Sequence, residues 1–187
     1  EIKIFKDSGV HMIQPGIESL VDEVLFLMRK GTTQLINIEC LRLCAEYKIN
    51  VSWSILWNFP NEKPLWYKKY LDLIPKITHL IPPGCMANIR YDKFSPYFYN
   101  PKNWGLELEP MDNYKFIYPS FKGHHDDIAY YFKRKSTQYH PQPFKINDVG
   151  NSFNPIFKEV NDLIDSWKKM WDKNFSEYPV LELRYKD

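Results

Sequence analysis

An α/β fold is predicted for this chain, and three observations predict it. Short apolar runs of strand length alternate with longer segments whose apolar residues recur at helical spacing. Gly, Pro or Asn punctuates the changes of pattern. Turn residues also follow the apolar runs, which is the order of a βα segment.

In order, residues 1–8 read as the end of a helix and residues 10–13 as a short strand. Leu20, Val24, Leu25, Leu27 and Met28 then mark a helix over residues 20–29. It closes at Lys30 and Gly31, where a cation suits the negative end of the helix dipole and a glycine suits a left-handed cap. Residues 33–47 form the next helix, capped by Thr32 or Thr33. Residues 50–56 alternate in part and read as a strand. Residues 64–74 make a helix with Leu65, Tyr67, Leu71 and Ile74 partly toward the sheet. Residues 77–81 then read as another strand, stopped by Pro82 and Pro83.

Beyond about Asn103 the loops lengthen. Asp126 or Asp127 is expected to cap a helix over residues 128–134. The neighbours His124 and His125 do not suggest a metal site, because adjacent helical side chains point about 100 degrees apart and zinc ligands prefer one face. Residues 136–154 are polar and proline-punctuated, a linker or irregular crossing. An amphipathic helix follows, with Phe157, Val160, Leu163, Ile164, Trp167, Met170 and Trp171 on or near one stripe. Residues 179–185 close the chain as a strand.

Composition narrows the function classes. The 187 residues and 44% hydrophobic content suffice for one ordinary domain or a large part of a bigger one. A net charge of +2, evenly spread, argues against nucleic acid or an anionic membrane as partner. No apolar run approaches the roughly 20 residues of a membrane span. The mixed charges of the first six residues exclude a secretory signal there, and a first residue other than Met suits a trimmed or partial chain. Three cysteines without a disulfide pattern suit a reducing cytosol, so the expected location is cytoplasmic.

The most informative stretch is residues 12–20, where an apolar run delivers Gly16, Glu18 and Ser19 to a strand-to-helix turn. In an α/β barrel that edge carries the chemistry. Gly16 allows close approach of a ligand to the backbone, the Glu18 carboxylate accepts hydrogen bonds from hydroxyls or an amine, and Ser19 donates or accepts. The plainer alternative is a helix start, with Ser19 or Glu18 satisfying the first backbone donors. A second candidate turn, residues 57–62, leaves the strand over 50–56. Its alternative is a tight turn of Asn and Pro with Glu62 capping the following helix. Arg90 has the chemistry to clamp a carboxylate, or to form an internal salt bridge with Asp92 or Glu18. The rings of Tyr91, Phe94, Tyr97 and Phe98 are expected to pack as core.

From the start to roughly Lys133 the chain resembles the radical S-adenosylmethionine enzymes, and most closely their cobalamin-linked branch that modifies ribosomally made peptides. The resemblance is carried by Gly16-Ile17-Glu18-Ser19, by Met28-Arg29-Lys30-Gly31-Thr32-Thr33, and by Trp57-Asn58-Phe59-Pro60-Asn61-Glu62. Further matches are His79-Leu80-Ile81-Pro82-Pro83, the run from Arg90 to Phe98, and Ala129-Tyr130-Tyr131-Phe132. It implies the C-terminal half of a partial (β/α)6 TIM-like barrel over residues 1–102, with an α+β C-terminal extension over residues 103–187. It also implies that Glu18 and Ser19 face the ribose and amino-acid portion of S-adenosylmethionine beside Gly16. Asn58 to Pro60 would line the adenine, and Arg90 would suit the methionine carboxylate or an acidic substrate group.

In relatives a [4Fe-4S] cluster cleaves the cofactor to a radical that takes hydrogen from a peptide substrate, and methylcobalamin delivers a methyl group in one branch. The cluster motif CxxxCxxC precedes GIES in the family, so the resemblance assigns the cluster, and cobalamin where it is used, to upstream segments. Cys40 and Cys44 have part of that spacing, but Tyr47 stands at the third position and helical periodicity buries the pair. Cys85 reads as a free thiol. The relatives' GFPGE becomes Asn58-Phe59-Pro60-Asn61-Glu62, and Asn is the residue best able to replace Gly at positive φ.

Two other functions are considered. A noncatalytic module would use exposed tyrosines and tryptophans to hold a peptide or a partner domain. A glycosidase-like barrel with Glu18 and Glu62 as paired acids is disfavoured, because nothing in the sequence fixes the separation on which that chemistry depends.

Overall fold

Helix α1 (Ile2–Asp7) turns at Gly9, φ +82, into strand β1 (Met12–Ile13). Next come α2 (Asp22–Leu27), α3 (Gln34–Glu46), β2 (Asn50–Val51), β3 (Ile55–Trp57), α4 (Lys69–Ile77) and β4 (Met86–Asn88). A computed structural model describes residues 1–135, 154–172 and 179–181. The elements after β4 are β5 (Tyr91–Asp92), α5 (Pro96–Tyr99), β6 (Leu108–Pro110), α6 (Asn113–Ile117), α7 (His125–Ile128), β7 (Tyr131–Arg134) and α8 (Pro155–Trp171). They form two units: Glu1–Trp57, Glu62–Ala87 and Asp148–Asp187 make the first, and Asn58–Asn61 and Asn88–Asn147 the second. The fold is mixed α/β with small sheets, and among the described residues no sheet closes into a barrel.

In the first unit β1 and β2 pair in parallel, Met12 opposite Asn50 and Ile13 opposite Val51. The pairing skips Gln14, Pro15 and Gly16, then resumes where Ser54 N donates to Ile17 O (3.4 Å) and Leu56 N to Glu18 O (2.8 Å). On its other side β3 joins β4, with Ile55 N donating to Cys85 O at 3.0 Å. The strand expected over residues 50–56 is therefore two short pieces. Its inward residues Val51, Trp53 and Ile55 are buried.

Helices α2 and α3 lie between the paired strands in sequence. Thr33 caps α3 by accepting from Ile36 N at 3.3 Å. After α2 both Arg29, φ +55, and the expected glycine Gly31, φ +68, take the left-handed conformation. Lys30 N then reaches Leu25 O at 3.1 Å, satisfying a terminal carbonyl.

A 3-10 turn, Pro64–Lys68, leads into α4. Leu65 faces solvent, and Tyr67, Tyr70, Ile74 and Ile77 fill the interior. The expected strand over residues 77–81 is absent: α4 continues through Pro75 to Ile77, because Tyr70, Ile74 and Ile77 extend one apolar stripe. On α8, Phe157, Val160, Ile164 and Trp167 are buried, each contributing about 1.5–3 kcal/mol by removal from water. Trp167 Nε1 donates to Leu80 O, Trp171 Nε1 to Thr78 O and Lys168 Nζ to Gly84 O, at 2.9–3.0 Å. This helix thus satisfies the carbonyls of a segment without secondary structure of its own.

In the second unit an antiparallel sheet runs in the order β5-β7-β6, with Tyr91 opposite Phe132 and Glu109 opposite Lys133. The expected helix over residues 128–134 is instead α7 followed by strand β7. The N-cap of α7 is His124, and Asp126 and Asp127 lie inside its first turn and not at the cap; two flanking strands then offer ladder partners to an aromatic, β-favouring run. Tyr91, Leu106, Tyr114, Ala129 and Phe132 form its core, with Tyr97 and Phe98 packed against it. Phe94, φ +72, stands outside, 61% exposed, so this ring of the expected cluster is not core. Residues 136–153 and 182–185, part of the expected linker and terminal strand, lie outside the described residues. Residues 179–181 carry no strand.

Candidate functional site

The loop at Gln14-Pro15-Gly16 forms because the parallel ladder skips three residues, and Gly16 at φ +70 makes the return. Glu18 follows at the resumed pairing, its backbone fixed by Leu56 and its side chain 33% exposed. Lys30, 31% exposed, approaches from beyond α2 and places Nζ 2.9 Å from Glu18 Oε2. The same ammonium is the nearest group, at 3.6 Å, to a methyl placed on Gly16.

Ser19 lies inside. It is fully buried, its Oγ 3.1 Å from the Tyr70 hydroxyl and accepting from Val21 N at 3.1 Å. Leu20 N donates to Tyr70 OH at 2.7 Å, and Asn37 Nδ2 donates to Ser19 O at 3.0 Å. Thr32 Oγ1 in turn donates to Asn37 Oδ1 at 3.2 Å. Three elements thus converge on the backbone just after Glu18, and every bond of the network is inside the protein. Burial pushes the Tyr70 phenol up to about 12, although bonds from Leu20 and Ser19 oppose it.

Two residues of this arrangement are not evident from the sequence. In the sequence Lys30 carries only the signature of a helix-end cation, and its signal is a basic residue in the Arg29-Lys30-Gly31 motif. Tyr70 gave no signal beyond a place on the apolar stripe of α4, since its partners lie 50 and 51 positions away.

Asn58, Pro60 and Arg90 belong to the second unit, and Gly16, Glu18 and Ser19 to the first. Asn58 and Asn61 adopt φ +71 and +66, so both asparagines take the left-handed conformation. Pro60 is buried, and Arg134 Nη2 donates to Asn58 O at 3.1 Å. Arg90, 70% exposed, stacks over the Tyr131 ring at 5.3 Å and reaches Asp92 Oδ2 at 3.2 Å. Glu62 accepts from the Tyr67 hydroxyl at 3.0 Å, and the 3-10 turn Pro64–Lys68 has Lys63 at its N-cap position with no side-chain cap. The expected helix cap at Glu62 is replaced by that bond.

All three cysteines are free, with Cys44 buried, Cys40 half-buried and Cys85 exposed. Burial pushes the Cys44 thiol up to about 12, with the neighbouring Cys40 adding to it. Among the described residues no group of three His, Cys, Asp or Glu side chains could hold a metal ion. The Glu18–Lys30 pair does fit an amino-acid moiety, because it offers a carboxylate and an ammonium side by side, each with solvent access. No helix of the described residues is long and apolar enough to cross a membrane. No family model, no curated protein and no solved structure matches this chain.

Proposed function

We propose that this chain supplies an S-adenosylmethionine-binding edge to a radical S-adenosylmethionine enzyme that modifies a peptide, by C-methylation or a related radical reaction. One observation carries the reading: Glu18 and Lys30 form an ion pair over Gly16, at the edge where a parallel strand pairing ends. Lys30 takes the ligand's carboxylate, and Glu18 accepts hydrogen bonds from its ammonium or a ribose hydroxyl. Gly16 leaves the backbone approachable. Ser19 acts from within, holding the Glu18 backbone through Tyr70 and Asn37.

The chemistry that the cofactor supplies when bound is hydrogen abstraction from the substrate by a carbon-centred radical. The [4Fe-4S] cluster, and cobalamin where it is used, belong to segments other than the described residues. The order of the GIES and RKGTT elements supports the assignment, and a cytoplasmic location suits three free thiols.

The test is reconstitution of the protein that carries this chain with iron and sulfide, reduction, and assay for 5′-deoxyadenosine. Cofactor turnover is expected, and its absence in a correctly loaded protein contradicts the reading. A second reading, a noncatalytic module that holds a peptide or a partner domain, is favoured by the exposed run Phe116, Ile117 and Tyr118. Peptide binding without deoxyadenosine would select it.

A further inference from the structure

Strand β7 ends at Arg134, opposite Leu108 of β6. Two positions from the buried Phe132, its side chain leaves the sheet on the same face as the core. The guanidinium is half-buried and bonded to neutral acceptors: Nε donates to the Tyr91 hydroxyl at 2.6 Å, and Nη2 donates to Asn58 O at 3.1 Å. The ring of the buried Tyr91 has its centroid 5.6 Å from Arg134 Cζ. Among the described residues Nη1 has no acceptor, and no carboxylate pairs with this cation. Nearby cations differ: Lys133 pairs with Glu109 and Asp112, Lys135 with Glu107, and Arg90 with Asp92.

We infer that Arg134 binds a carboxylate of the peptide substrate, beside the turn at Asn58. The identity of the ligand as a peptide rests on the functional reading above, and the anion chemistry does not. Arg134, Tyr91 and Asn58 all belong to the second unit, so the site is complete within it.

A half-buried guanidinium without a counter-charge has given up water and gained no opposite charge in return. An incoming carboxylate supplies that charge and takes the Nη1 donors in charge-assisted hydrogen bonds. Little ordering is needed, since the Tyr91 hydroxyl and Asn58 O already hold the guanidinium in place. With Lys133 and Lys135 neutralised by their own acids, one unpaired cation matches a singly charged carboxylate better than a doubly charged phosphate. Lysine would keep the charge and lose the planar fork that serves Tyr91, Asn58 and the ligand together. At Arg90 the same ligand would meet the carboxylate of Asp92.

The test follows the Nε–Hε resonance of Arg134 by NMR in the full chain, assigned through its own side chain to the backbone. Capped pentapeptides of one apolar sequence are titrated: one with a free C-terminal carboxylate, one amidated with a central Glu, and one amidated with a central Gln. The resonance should shift with a carboxylate peptide that binds about tenfold or more tightly than the Gln peptide, and the tighter of the two acids identifies the source. Arg134→Lys should weaken that binding about tenfold, and Lys135→Gln should change it less than about twofold. Equal binding of the Gln peptide, the same shift from sodium chloride at matched ionic strength, or undiminished binding by Arg134→Lys overturns the inference. Should Arg134→Lys fail to fold, the titrations of the unaltered chain decide. Neither S-adenosylmethionine nor iron is used, so carboxylate binding in a protein that forms no 5′-deoxyadenosine strikes the functional reading alone. Cofactor turnover without carboxylate binding strikes this inference alone.

Discussion

The Lys30 ammonium sits 2.9 Å from Glu18 Oε2 and 3.6 Å from where a methyl group on Gly16 would stand. The second distance is ordinary van der Waals contact, so Gly16→Ala is limited by its backbone at φ +70 and not by crowding. It should cost about 1–2 kcal/mol of stability. Lys30→Met removes a partly exposed ion pair and should cost less than about 1 kcal/mol. Urea unfolding of the two variants checks the order.

Tyr70→Phe leaves Leu20 N without its acceptor and the buried Ser19 hydroxyl without its neighbour. A loss of about 1–3 kcal/mol is expected, because buried donors and acceptors are costly to strand. Ser19→Ala should be coupled to it in a double-mutant cycle by about 0.5–3 kcal/mol. Strict additivity would show that the two hydroxyls act separately.

Asn61 holds φ +66 at an exposed position. Asn61→Gly should change stability by less than about 0.5 kcal/mol. Asn61→Val should cost about 1–2 kcal/mol, since a branched side chain resists the left-handed region. Equal stability of the two variants in thermal unfolding would contradict the turn geometry.

This turn shows what the sequence makes legible. Asparagine in place of glycine is a local signal, and φ at Asn58 and Asn61 obeys it. The same holds for the Thr33 cap and the buried Cys44, which follow from neighbours within one or two turns. Residues 128–134 are opposite in kind. Their expected helix rested on an Asp cap, but Tyr131 to Arg134 become a strand because β5 and β6 pair on either side, and neither partner is visible locally. Lys30 and Tyr70 belong to the same class, because each acquires its role only when distant residues meet.

Alkali should destabilise the fold in a defined window. Tyr70 rises from 10.0 to about 12 and Cys44 from 9.0 to about 12, in each case first through burial. Both groups are raised in the folded state, so their contribution is full at lower pH. It falls as pH climbs through 9.0 for Cys44 and 10.0 for Tyr70, toward about 12, because the unfolded chain ionises first. Urea midpoints measured from about pH 8 to about pH 11 should fall, and the part due to Tyr70 should vanish in Tyr70→Phe.

The most direct test of the account is calorimetric binding of S-adenosylmethionine to the chain and to Glu18→Ala. The account predicts binding by the unaltered chain and a loss of about ten- to a hundredfold in Glu18→Ala, the worth of one charged hydrogen bond, with the unfolding midpoint nearly unchanged. Equal affinity in the two proteins, or a fall in stability that matches the fall in affinity, would contradict it.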